Sequence, residues 1–322
     1  MNDRKYQIYK EKYILAKKEL KFKQKGGIIT LVHNFGSRGF VYNKFDQPTG
    51  ITLLNDGNFA ICDKGNDRIQ IVSPNGDFIT NFGSKGYGDG QFNKPEGITV
   101  LQDGNLAICD TKNNRIQIMS PSGEYITDFG LKGNEDGKFN EPEGITLLKD
   151  GNLAICDTLN NRIQIISPSG VFVKKINTTV SPKNLTQLFD GNLAFSCNHE
   201  IQIIKLSGEV VKKFGSYGST LQALGSAEIK FRYPIGIIQL TDGNLAICDS
   251  LNNKIQIISI NGIHIEEFGL LPGSNQNLSS PSSLIQLDNG NIAVCDTNNS
   301  NIKIYMKPAK IYIKADIANS TF

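Results

Sequence analysis

PEGITVLQDGNLAICDTKNNRIQIMSPSG, residues 95–123, contains three short apolar runs, at 98–101, 106–109 and 116–119, and a fourth follows at 125–129. Runs of four or five residues bounded by turn residues read as strands, since helices need more than ten. Asp103-Gly104 supplies the positive-φ residue of a tight hairpin, and Pro121-Ser122-Gly123 turns the chain more loosely. This stretch is therefore a four-stranded antiparallel meander.

The phrase at its centre recurs. DGNLAICD begins at Asp103, Asp150 and Asp242, with DGNFAICD at Asp56, DGNLAFSC at Asp190 and NGNIAVCD at Asn289. Successive starts lie 47, 47, 40, 52 and 47 residues apart, a period that marks a repeat architecture. Six units of four strands predict an all-β, six-bladed β-propeller.

The unit resembles the NHL repeat, which has a proline-x-glycine opening strand, a glycine-asparagine hairpin, a small-residue/Asp pair, and an asparagine-x-arginine turn before an Ile-Gln-Ile strand. Those elements stand at 95–123 and again in PEGITLLKDGNLAICDTLNNRIQIISPSG from Pro142. The resemblance covers 28–306 and implies a propeller platform. It implies no single activity, because function sits in sites grafted on folds.

The chain ends indicate how the ring closes. NFGSRGFVYNKFDQPTGI, residues 34–51, repeats the register of NFGSKGYGDGQFNKPEGI from Asn81. Residues 28–35 are thus expected to be an outermost strand completing the sixth unit, whose own strands are 284–287, 292–295 and 302–305. Residues 311–317 are the rival for that place. The division expected is a basic segment at 1–27, the propeller at 28–306 and a tail at 307–322.

Composition fits a globular protein, 39% hydrophobic and 20% charged, and no apolar run approaches the ~20 residues of a membrane span. There is no signal-peptide core at the N-terminus, so a cytoplasmic location is expected. Cys62, Cys109, Cys156, Cys248 and Cys295 share one second-strand position on five blades, with Cys197 one step later. They read as small buried residues, not as disulfide or metal partners. Residues 1–25 carry nine Lys or Arg and three acids, a balance of +6 that leaves −3 for the rest of a chain at +3. Within that segment Tyr6, Tyr9, Tyr13, Ala16 and Leu20 fall at helical spacing, predicting a short N-terminal helix.

Catalysis finds little support. The three histidines, His33, His199 and His264, fall by register in two fourth strands and a turn, so zinc chemistry at the channel is not expected. A calcium-dependent, lactonase- or lyase-like enzyme is the weaker alternative. Its candidate ligands are Glu96, Glu143 and Asn184, assigned to the inner-strand position between proline and glycine on neighbouring blades. The bland reading is that the glutamates are solvated and came with duplicated repeats. No cofactor and no small-molecule substrate are expected.

Arg68, Arg115 and Arg162, with Lys254 in blade five, follow the second strand at a fixed offset from Asp63, Asp110 and Asp157. They are expected to bridge the turn. The alternative is a cationic face gripping RNA, opposed by the −3 balance and the absence of tryptophan. Partner binding is sought where repetition fails. Blade four loses its Asp and Arg, placing His199 in an altered turn, and the linker at 215–234 lengthens to carry Tyr217, Leu221, Leu224, Phe231, Arg232 and Tyr233. Apolar residues in a long surface loop point to a protein partner. The function expected is a non-catalytic protein-protein interaction scaffold.

Overall fold

In the computed structural model, residues 29–219, 225, 228–270 and 276–307 are described. Six four-stranded antiparallel sheets form the ring, together with a two-residue parallel pairing of Ser216–Tyr217 with Lys230–Phe231. Blade two is typical. Its strands are Pro95–Val100, Leu106–Asp110, Arg115–Met119 and Tyr125–Phe129, from the axis outward. A single 3-10 turn, Thr111–Asn113, joins the second and third, closed by Asn114 at φ 58°.

Blade six is built from both ends of the ring. Pro281–Gln286, Ile292–Asp296 and Asn301–Met306 are completed by Thr30–Phe35, with Thr30 opposite Met306 and Phe35 opposite Ile302. The N-terminal strand thus takes the place anticipated for it. The rival at 311–317 and the N-terminal helix lie outside the described residues.

The second and third strands are buried along their whole length in most blades, because each sheet is sandwiched between two others. That is why they read as continuous apolar runs, with polar exceptions such as Gln117 that are themselves hydrogen-bonded. The core is accordingly six seam clusters. One combines Ala60, Cys62 and Ile69 of blade one with Ile98, Leu106 and Ile108 of blade two. At the axis the inner strands approach so closely that a Cβ on Gly50 would lie 2.2 Å from the Glu96 carbonyl oxygen, and glycine is required there.

Five seams share a wedge. The linker entering a blade inserts Phe45, Phe92, Phe139, Phe231 or, before blade six, Leu278, each at most 2% exposed. The wedge sits against a glycine ending the preceding outer strand; at Gly83, φ 97°, a Cβ would meet the Phe92 ring at 2.6 Å. The seam between blades three and four differs. Its outer strand ends in Ile176-Asn177 where others have Phe-Gly, and the short linker brings no wedge. Phe195 replaces the isoleucine of other second strands and fills part of the space, and Val180 packs alongside. A cavity of about 60 Å³ remains.

Candidate functional site: the linker face and the channel mouth

Blade linkers and second-to-third turns lie on one face, knitted by the Asp-Arg clip. Asp110, fully buried, accepts from Asn93 N at 2.8 Å, Asn113 Nδ2 at 2.9 Å, Arg115 Nε at 2.8 Å and Gln117 Nε2 at 3.1 Å. Arg115 then donates to the Gly88 and Gln91 carbonyls of the linker and to Asp128. Burial pushes the Asp110 carboxyl above its usual range despite these donors.

The arginines are therefore structural. Arg68, Arg115 and Arg162 are all buried, with Nε 2.6–2.8 Å from Asp63, Asp110 and Asp157. Lys254 is equally buried and reaches Glu267 at 2.6 Å. The cationic face read as the RNA alternative is spent inside the blades. In blade six the cation moves two residues along, to Lys303, which meets Asp296 at 2.7 Å.

At the channel mouth one register needs correction. Leu185 pairs with Phe195 as Ile145 pairs with Ile155, so Asn184 occupies the glycine place and Lys183 the glutamate place. Pro182-Lys183-Asn184 aligned directly on Pro142-Glu143-Gly144 carries that signal in the sequence. Asn184 turns its Oδ1 to the Leu185 amide, 2.7 Å, instead of completing a ligand set. Glu143 meets Lys183 at 2.7 Å and Glu96 meets Lys64 at 2.8 Å. A cation arriving between these carboxylates would have to displace a lysine. Among the described residues no group of three or more His, Cys, Asp or Glu is placed to hold a metal. Below the mouth the channel is a cavity of about 140 Å³, ringed by Thr52, Thr99, Thr146, Thr186, Ile238 and Ile285.

Burial and the neighbouring Glu96 raise the Glu143 carboxyl to about 7 in spite of Lys183. A group raised from its ordinary 4.5 holds its proton more tightly when folded. Its contribution is complete below about pH 4.5 and is lost as pH climbs through about 7. Glu143→Gln should flatten the fall in melting temperature between pH 5 and pH 8 by the equivalent of up to about 3 kcal/mol. Parallel slopes for the two proteins would refute this assignment.

The histidines are dispersed. His33 lies on an outer strand bonded to Asn75 O at 3.0 Å, and His264 is buried on another, 3.5 Å from Glu267. All six cysteines are buried free thiols, and burial pushes Cys197 up to about 12.

The blade-four and blade-five face is where regularity breaks. Cys197 stands in the Asp place and Glu200 in the Arg place. Tyr217 is 64% exposed, edge-on to His199 with centroids 4.9 Å apart. His199 Nδ1 accepts from Tyr233 N at 3.3 Å, and the Tyr233 ring lies 5.7 Å from Lys183 Nζ. Arg232 is exposed. Phe231, read from the sequence as part of a contact surface, is instead the buried wedge of its seam, because the ring fits against Gly215. Leu221 and Leu224 lie outside the described residues. Phe40, 78% exposed, with Tyr42 and Tyr87, adds exposed aromatics on linkers of the same face.

The architecture is that of a six-bladed β-propeller. The family model described as NHL repeat matches residues 45–72, 92–119 and 139–166, so the first three blades carry NHL repeats. No curated protein matches it in sequence. Among solved structures it is similar to a catalytically inactive virginiamycin B lyase from Staphylococcus aureus with quinupristin, 21% identical over 89% of each chain, TM-score 0.59. It is also similar to Kuenenia stuttgartiensis hydrazine synthase, 14% identical over 88% of this chain and 99% of that one, TM-score 0.59. The WD40 β-propeller domain of Doa1 is 12% identical over 87% and 97%, TM-score 0.57. At these identities the likeness is one of fold alone.

Proposed function

We propose that this propeller is a non-catalytic scaffold that engages protein partners through its linker face, centred on blades four and five. The observation that carries the reading is Tyr217, exposed beside His199 at the one blade where the buried Asp of the clip is replaced, by Cys197. Phe40, Tyr42 and Tyr87 extend the same face with exposed aromatic surface, Tyr42 resting on Phe78 and Tyr87 beneath the Arg115 guanidinium. Tyrosine and arginine are the anchors most often found at interface centres, and Arg232 directly follows the Lys230–Phe231 strand that pairs with Tyr217's. RNA is disfavoured because Arg68, Arg115 and Arg162 are bonded to carboxylates and linker carbonyls.

Full-length protein used as bait in its native extract should lose more than tenfold of its captured partner on Tyr217→Ala. Capture should change little between 50 and 200 mM salt. An RNA-gripping face making six to ten phosphate contacts would instead weaken roughly 10³- to 10⁵-fold over that range. Partner capture untouched by Tyr217→Ala and Arg232→Ala together would overturn the reading.

A further inference from the structure

The seam between blades three and four lacks what every other seam contains. Four phenylalanines and Leu278 wedge the other five, and the outer-strand phenylalanine found in the other five blades is here Ile176. The cavity left behind is bounded by Ile176, Phe195, Gln202, Ile204, Gly208 and Lys213. Its polar wall is specific. In four blades the equivalent glutamine donates to the carbonyl just before the wedge: Gln70 to Lys44, Gln117 to Gln91, Gln164 to Lys138 and Gln256 to Lys230, at 2.6–2.8 Å. Gln202 has no such linker carbonyl and turns to Glu200 Oε1 at 2.5 Å.

We infer that this seam is a docking groove for a partner segment that supplies a phenylalanine in an acidic context, entering as the ring's own linkers do. The wedge pattern specifies the aromatic side chain, and Gln202 is placed to take the carbonyl preceding it. Charge specifies the rest. Lys213 is exposed on the groove wall, at the outer-strand place from which Lys175 of blade three meets Asp136 of its own entering linker at 2.7 Å, so an acid in the docked segment has a cation to meet. Two of the chain's own linkers already have the matching form, with Asp89 three residues before Phe92 and Glu135-Asp136 just before Phe139. This inference rests on the scaffold reading but places the partner's anchor on a seam away from Tyr217.

The probe is a fluorescein-labelled peptide of residues 133–142, GNEDGKFNEP, titrated with full-length protein and read by fluorescence anisotropy. Saturable binding is expected, at least tenfold weaker for the peptide with Phe139→Ala. Gln202→Leu in the protein removes the donor aimed at the incoming carbonyl and should weaken binding severalfold. Lys213→Glu, an exposed change that leaves the core intact, should weaken binding severalfold. No binding at millimolar protein, equal binding of the two peptides, or unchanged affinity in both protein variants would each overturn the groove. A dimer in sedimentation that Lys213→Glu dissociates would show that a second copy fills the seam, and would overturn it as well. Loss of native-partner capture on Tyr217→Ala with a failed peptide titration would sink the groove and leave the scaffold reading standing.

Discussion

Deleting residues 1–36 should lower the melting midpoint far below that of a chain lacking only residues 1–28. The difference between the two deletions isolates Thr30–Phe35, the outer strand of blade six. Without it the ladder from Thr30–Met306 to Phe35–Ile302 is lost, Phe35 leaves the cluster around Phe59 and Ile302, and Asn301–Met306 becomes an open edge. A loss of about 5 kcal/mol or more is reasonable for a strand's worth of pairing and apolar burial, roughly 7 °C or more for a protein of this size. Ending the chain after Met306 removes the Lys307–Asp242 contact but none of this ladder, and should be much milder. Equal midpoints for the 1–28 and 1–36 deletions would sink the closure.

Asp110→Ala should be among the most damaging single substitutions. It strips four donors of their acceptor and leaves the Arg115 guanidinium inside the blade with only Asp128 as counter-charge. Breaking a buried pair by removing one partner costs about 3–5 kcal/mol. Asp103→Ala, which removes only exposed hairpin contacts from Asn105 N and Nδ2, should cost about 1 kcal/mol or less. Asp110→Ala with Arg115→Met, which removes both charges, should recover part of the loss. Thermal or denaturant unfolding of the three variants decides it, and Asp110→Ala no worse than Asp103→Ala would exclude the clip as a stabilising element.

The ring was legible because each blade repeats its own turn chemistry, and the register of residues 34–51 against 81–98 located the closing strand. The Asp-Arg clips were legible for the same reason, since a fixed offset in blades one to three brings the two residues together at the head of neighbouring strands. What escaped the sequence was depth. A phenylalanine in a long linker looks like a contact residue, yet Phe231 is a wedge whose burial depends on Gly215 meeting it from another strand. The channel mouth failed for a one-residue reason: Asn184 was matched to glutamate where it substitutes for glycine. Lys183, the residue that holds Glu143, was thereby passed over. The wedge missing beside Ile176 became visible only once the other five seams showed where the linker side chain belongs.

The closure of blade six also sets an order of events during synthesis. Among the described strands Thr30–Phe35 leaves the ribosome first, and its partner Asn301–Met306 leaves last. At roughly 5–20 residues per second the first strand waits on the order of tens of seconds with both edges unpaired. Blades one to five can form in sequence during that interval, each from contiguous chain. Blade six cannot, and bringing its ends together carries the entropy of closing the whole ring, a cost that grows only slowly with loop length. The last step of assembly is thus a latch that engages after translation has passed Met306, and the nascent propeller is an open arc until then.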